Sequence, residues 1–116
     1  MSLNHVALTV ADRDRSAAFY REHFGLTKTV HEDDHLLLIG APEGGSLVAL
    51  TAGTVPPELP RTNHFGFQLA AAEEVRRARE RLRRAGVAET EWQDDHGFAR
   101  VQVADPDGYR VELYAY

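Results

Sequence analysis

His5, His64 and Glu112 are the residues of this 116-residue chain whose types and positions best suit metal chemistry. His5 stands in Asn4-His5-Val6-Ala7-Leu8-Thr9-Val10, and His64 stands in Asn63-His64-Phe65-Gly66-Phe67-Gln68-Leu69, half a chain later. Glu112 lies near the end, between Val111 and Leu113. Two imidazoles and one carboxylate make a facial donor set for a non-haem divalent ion that keeps open coordination positions. The plain alternatives are a structural histidine on each strand and a surface glutamate. Repetition favours the ligand reading, because it sets the two histidines at equivalent places with no evident packing reason. The chain has no cysteine, which excludes disulfides, thiolate zinc, iron–sulfur clusters and a thiol nucleophile.

The elements that must carry these residues read as two halves. Both His-bearing segments alternate apolar and polar residues, the period of half-buried strands. Val6, Leu8 and Val10 share one face in the first, and His5, Ala7 and Thr9 the other. Phe65, Phe67 and Leu69 oppose His64, Gly66 and Gln68 in the second. Asp12 or Asp14 predicts a helix cap, with the helix running to about His23 and ending at Gly25; Ala17, Phe19, Tyr20 and Phe24 are its apolar positions. Ala72 to Ala85 predicts the second helix, with Val75, Ala78, Leu82 and Ala85 as a narrow buried stripe and Gly86 as its end.

Three strand candidates follow each helix: Thr27–His31, His35–Ile39 and Ser46–Thr51, then Ala88–Trp92, Ala99–Val103 and Tyr109–Tyr114. Ala41-Pro42-Glu43-Gly44 and Asp105-Pro106-Asp107-Gly108 are the matching turns. The expected fold is therefore α+β: two βαβββ modules forming a curved mixed sheet around a cavity, with helices outside. A single domain over 1–116 would hold module one at about 1–52, a proline-bearing linker at about 53–62 and module two at about 63–116. Alternation puts Glu112 on one face with Arg110 and Tyr114, turned into the cavity.

Composition narrows the partners. The formal charge is −5, mostly from the first half, so the basic footprint of a nucleic-acid binder is missing. The arginines from Arg76 to Arg84 alternate with acids and read as a solvated helix face with i,i+4 ion pairs. No apolar run approaches the ~20 residues of a membrane span. With no signal-peptide pattern at the start, the expectation is a soluble, cytoplasmic protein with no membrane partner.

The paired modules, the ending Asp105-Pro106-Asp107-Gly108-Tyr109-Arg110-Val111-Glu112-Leu113, and the start from Asn4 through Ser16, Phe19-Tyr20 and Gly25-Leu26 resemble the vicinal oxygen chelate superfamily over essentially the whole chain. That group includes glyoxalase I, methylmalonyl-CoA epimerase, extradiol dioxygenases, fosfomycin-resistance thiol transferases and bleomycin-resistance proteins. The resemblance implies metal ligands at His5, Ala49, His64 and Glu112. Ala49 replaces a carboxylate and breaks the four-ligand pattern, leaving the His-His-Glu set of the dioxygenases and fosfomycin-resistance enzymes. It implies Fe(II) or Mn(II), with Zn or Ni as further options, and a small substrate chelated through adjacent oxygens. It also implies a homodimer that exchanges modules, His5 coming from one subunit and His64 with Glu112 from the other.

Departures from the family pattern bear on the reaction. Ser46 stands where extradiol enzymes have an acid/base histidine, and Gln102 where they have a tyrosine. Glutamine cannot exchange protons near neutrality. Ala7 replaces the threonine of fosfomycin-resistance enzymes, and Gln93-Asp94-Asp95-His96 is acidic where a lysine is wanted, which disfavours a phosphonate. The candidates for catalysis are Gln102, His96 and Arg100. His96 either swings over the site or is a solvated loop residue. Arg100 either binds a substrate carboxylate or makes a surface ion pair. Trp92 and Tyr114 fit an aromatic pocket or the core equally well. His31 and His35 lie among Glu32, Asp33 and Asp34 and read as a polar turn. The leading expectation is a divalent-metal-dependent enzyme: a dioxygenase, or a lyase or transferase of the same superfamily. The alternative is a metal-independent drug-binding protein of the bleomycin-resistance type.

Overall fold

A computed structural model describes all residues, Met1–Tyr116. It divides into two compact units, Met1–Pro57 and Glu58–Tyr116, so the division falls inside the proline-bearing stretch. The order of elements is β1 (His5–Val10), α1 (Arg13–Phe24), β2 (Lys28–Glu32), β3 (Leu37–Gly40) and β4 (Leu47–Ala52), then β5 (His64–Gln68), α2 (Ala72–Arg84), β6 (Glu89–Asp95), β7 (Phe98–Ala104) and β8 (Arg110–Ala115). Each unit is βαβββ, as the repeat predicts, and each makes its own four-stranded mixed sheet.

In the first unit the strand order is β1-β4-β3-β2. β1 runs parallel to β4, and the other pairs are antiparallel. The helix between β1 and the later strands makes that parallel pair possible, because parallel neighbours need a long crossover. Asp12 caps α1, its side chain accepting from the Arg15 N–H at 3.1 Å. Gly25 ends the helix in the left-handed conformation, φ 69°, where a residue with a Cβ would be strained. Leu8 and Val10 join Ala17, Tyr20, Leu26, Ile39, Val48 and Leu50 in the core, while His5, Ala7 and Thr9 are exposed on the other face.

The second unit repeats this plan, with order β5-β8-β7-β6 and β5 parallel to β8. α2 packs against β7 and β8. Val75, Ala78 and Leu82 are its buried residues. Ala85, expected in that stripe, is exposed: it is the C-cap residue, past the last turn that faces the sheet. The arginine-rich face does form the expected helical pairs, Arg77 with Glu73 at 3.5 Å and Arg76 with Glu73 at 3.3 Å. Its better-formed pairs cross to β6 instead: Arg76 grips Asp94 through two bonds of 2.9 and 3.0 Å, and Arg79 grips Glu89 at 2.7 and 3.1 Å.

The repeat extends to an irregularity. The pairing of β2 with β3 slips between Thr29 and His31, and that of β6 with β7 slips between Glu89 and Glu91. Each slip leaves one extra residue, Val30 or Thr90, which is a β-bulge. The two turns before the final strands are also equivalent in place but not in chemistry. Both turns are closed by a 3.0 Å backbone bond, Gly44 N–H to the Ala41 carbonyl and Gly108 N–H to the Asp105 carbonyl, but only the second adds a buried carboxylate, Asp105, which accepts from the Asp107 and Tyr109 N–H groups at 2.9 Å each.

Candidate functional site

Pairing in the second unit gathers the site. β5 registers against β8 so that His64 opposes Arg110 and Gly66 opposes Glu112. β7 registers so that Gln102 opposes Glu112. Glu112 thus lies on a central strand and is buried although it faces away from α2's apolar contacts. Gly66 leaves it space: a Cβ there would lie 3.2 Å from both the Cβ and the carbonyl oxygen of Glu112. His64, Gln102 and Glu112 line an open hollow of about 320 Å³ with Glu91 and Arg100, and Arg61 and Thr62 complete its lining.

His64 is oriented by its own neighbourhood. The Thr62 carbonyl oxygen is 2.9 Å from Nδ1, and because a carbonyl only accepts, Nδ1 carries the donated proton. Nε2 then offers a lone pair, and it lies 3.9 Å from Glu112 Oε1. An imidazole whose second nitrogen donates to a backbone carbonyl is the usual state of a metal-binding histidine. The segment that supplies this carbonyl is tied to β8, since the Arg110 guanidinium donates to the Arg61 carbonyl oxygen.

Arg100 is the hub of the hollow. One guanidinium nitrogen donates to Glu112 Oε1 at 2.8 Å, another lies 2.7 Å from Glu91 Oε2, and Nε donates to Gln93 Oε1 at 3.2 Å. The bonds to Glu112 first, and then Glu91, hold the guanidinium above its ordinary pKa. The bond from Arg100 in turn holds the Glu91 carboxyl below the usual carboxylate range. The carboxylates of Glu91 and Glu112 face the guanidinium groups of Arg100 and Arg61 around the hollow, and beside Glu112 stands the His64 Nε2 nitrogen. An imidazole nitrogen and a carboxylate are donors that fit a divalent cation. Gln102 is buried, and its side-chain oxygen accepts from the Thr90 hydroxyl at 2.9 Å.

The other sequence candidates lie elsewhere. His5 belongs to the first unit; its Nδ1 is 3.3 Å from Asn4 Oδ1. The residue opposite Ala7 there is Ala49, so the place equivalent to Glu112 holds a methyl group. No group of three His, Asp or Glu side chains is gathered to hold a metal ion. His96 lies in the β6–β7 turn beside a separate hollow with Arg76 and Asp94. Trp92 lies under Arg79, whose guanidinium carbon is 4.3 Å from the ring centre. Tyr114 stacks on Tyr116 at 6.1 Å. The cluster around His31 is a turn: Asp33 accepts from the His35 and Leu36 N–H groups at 2.8 Å each and meets His31 Nε2 at 2.8 Å. Those bonds, that from His31 first, hold the Asp33 carboxyl well below its ordinary range.

Sequence reasoning did not include Glu91, Thr90 or Gln93 among the site residues. Strict alternation through β6 fails because of the bulge at Thr90, which changes the side on which the following residues emerge. The bulge is visible only once β6 is paired with β7.

Two βαβββ units, each with its own four-stranded mixed sheet, define a class of paired-module folds. The model of the Glyoxalase/Bleomycin resistance protein/Dioxygenase superfamily matches residues 2–113. The chain belongs to that superfamily. It is 33% identical to the glutathione transferase FosA of Serratia marcescens, over 97% of this chain and 79% of the relative. It is 29% identical to a probable trivalent organoarsenical cleaving enzyme of Bacillus subtilis (strain 168), over 98% of this chain and 80% of the relative. Among solved structures, the fosfomycin resistance protein FosX of Listeria monocytogenes superposes with a TM-score of 0.83 at 24% identity, over 100% of this chain and 93% of the other. A possible glyoxalase from Bacillus cereus gives 0.78 at 26%, over 97% of both. FosX of L. monocytogenes has also been solved with Mn(II) and sulfate. No helix of the chain is long and apolar enough to cross a membrane.

Proposed function

We propose that the chain is a divalent-metal-dependent enzyme in which His5, His64 and Glu112 hold the ion, Mn(II) or Fe(II) before Zn or Ni, and a small substrate chelates it through two adjacent oxygens. The observation that carries this reading is the His64 imidazole, with Nδ1 committed to the Thr62 carbonyl and Nε2 turned toward Glu112. His5 is proposed as the third ligand because it is the residue of the first unit equivalent to His64. A second copy of the chain supplies His5 in the exchanged homodimer.

When bound, the cation supplies Lewis acidity toward the chelating oxygens. Around it, Glu112 and the histidines bind and orient. Arg100, anchored by Glu91 and Gln93, offers a cationic contact to an anionic substrate group. Gln102 donates or accepts hydrogen bonds and moves no proton. That weighs against ring cleavage and toward group transfer, the reaction type in the name glutathione transferase of the S. marcescens relative. Trivalent arsenic is a soft centre that seeks thiolates, and a chain without cysteine supplies none. A drug-sequestering groove is also disfavoured, because the hollow is lined by charged and amide side chains with no Phe, Tyr or Trp.

The test is elemental analysis of protein made in metal-supplemented medium, followed by Mn(II) titration after chelation. The expected result is one ion per site in the parent and at least a hundredfold weaker binding in His64→Ala. Parent protein that binds no ion above stray levels would overturn the reading.

A further inference from the structure

Resting on Glu112 as a ligand, we propose that Arg100 is a positioning residue that competes with the metal ion for Glu112 and, once displaced, becomes the anchor for an anionic group of the substrate. Arg100 spends one nitrogen on Glu112 Oε1 at 2.8 Å, the same oxygen that lies 3.9 Å from His64 Nε2. A carboxylate oxygen that turns its charge to a cation beside His64 cannot keep its full bond to a guanidinium. Arg100 does not leave with it. Its other nitrogens are held by Glu91 at 2.7 Å and by Gln93 at 3.2 Å, both on β6 and neither in the ligand set.

The consequence is a guanidinium held through Nε and Nη2, with Nη1 freed at the hollow. A nitrogen fixed in direction by the planar, anchored guanidinium gives an anionic oxygen a more directed contact than a mobile ammonium does. Ion loading and anion recognition are then coupled through one residue: without the ion, Glu112 occupies the nitrogen that the substrate needs. The first unit has no counterpart for this device. Reading the registers across the repeat, Gln102, Glu112 and Thr90 correspond to Leu38, Ala49 and Val30, and Arg100 corresponds to Leu36. The retained pair is His5 with His64; the charged clamp is particular to the second unit.

Two probes with opposite expected signs test this. In Mn(II) titrations followed by calorimetry or by the electron paramagnetic resonance of the free ion, Arg100→Gln should bind Mn(II) roughly tenfold more tightly than the parent, because a competing cation is gone. In titrations of the Mn(II)-loaded proteins with oxalate, which carries carboxylates with adjacent oxygens, the same variant should bind roughly tenfold more weakly. A merely structural arginine would lower both affinities. Arg100→Lys retains the charge and guards against misfolding of the glutamine variant; it should keep near-parental Mn(II) affinity and lose part of the oxalate affinity, since its ammonium is not fixed in direction. Mn(II) binding in Arg100→Gln no tighter than in the parent, or undiminished oxalate binding, overturns this proposal and leaves the metal site standing. Parent protein that binds no Mn(II) overturns both.

Discussion

Gly66 and Glu112 face each other across the β5–β8 ladder, and the missing side chain at 66 is what lets the carboxylate sit there. An added methyl would stand 3.2 Å from the Glu112 carbonyl oxygen and 3.4 Å from the Tyr114 ring, so backbone as well as side chain would have to give. The first unit solves the same problem differently: Ala7 opposes Ala49, two small residues with no ligand between them. Gly66→Ala should therefore move Glu112 and weaken Mn(II) binding by about tenfold, with a stability loss of about 1–3 kcal/mol from overpacking. Calorimetric titration beside a thermal melt checks both numbers, and unchanged Mn(II) affinity would argue that Glu112 is not a ligand. The types of these residues were legible in the sequence, and so was the alternation that set Glu112 with Arg110 and Tyr114. What alternation could not supply was the partner of Glu112, because Arg100 reaches it from β7 and is itself held by Glu91 of β6.

Helix α2 is joined to strand β6 by charge as well as by its apolar stripe. Arg76 pairs with Asp94 and Arg79 with Glu89, and Arg79 also covers Trp92. Asp94, Glu89 and, within the hollow, Glu91 all have pKa values held below their ordinary range, chiefly by hydrogen bonds from Arg76, Arg79 and Arg100 respectively. A carboxylate depressed in the folded state stabilises it fully above the unfolded pKa of about 4, and that contribution disappears as pH falls through the lower folded value. The urea midpoint should thus hold steady near neutrality and fall below about pH 4.5, with Arg79→Met flattening that fall; unfolding curves at fixed ionic strength measure it. The pairs are solvent-facing, so added salt should shrink the effect. The helix boundaries were legible because Asp12, Gly25 and Gly86 are local signals. The bulges at Val30 and Thr90 were not, since a bulge is a property of a pair of strands and neither strand announces it alone.

At the scale of the whole molecule the question is which chain completes each site. The proposed exchanged homodimer makes a sharp expectation. His5→Ala and His64→Ala chains should each fail to bind Mn(II), yet a mixture unfolded and refolded together should recover binding at a fraction of its sites, because a mixed dimer puts both substitutions in one site and leaves the other intact. Sites built within a chain would recover none, and Mn(II) titration of the refolded mixture distinguishes the two. The sequence alone determined the two-module α+β plan, the equivalence of His5 with His64 and the absence of thiolate chemistry, because periodicity, repetition and composition are written along the chain. Only the tertiary structure decided that Arg100 bridges Glu112 and Glu91, that His64 Nδ1 is committed to Thr62, and that His96 lines a different hollow. Arg100 meets its partners because strand register, which no local pattern encodes, brings three strands within bonding distance, and the His64–Thr62 bond, though it spans only two residues, depends on the backbone path that enters β5.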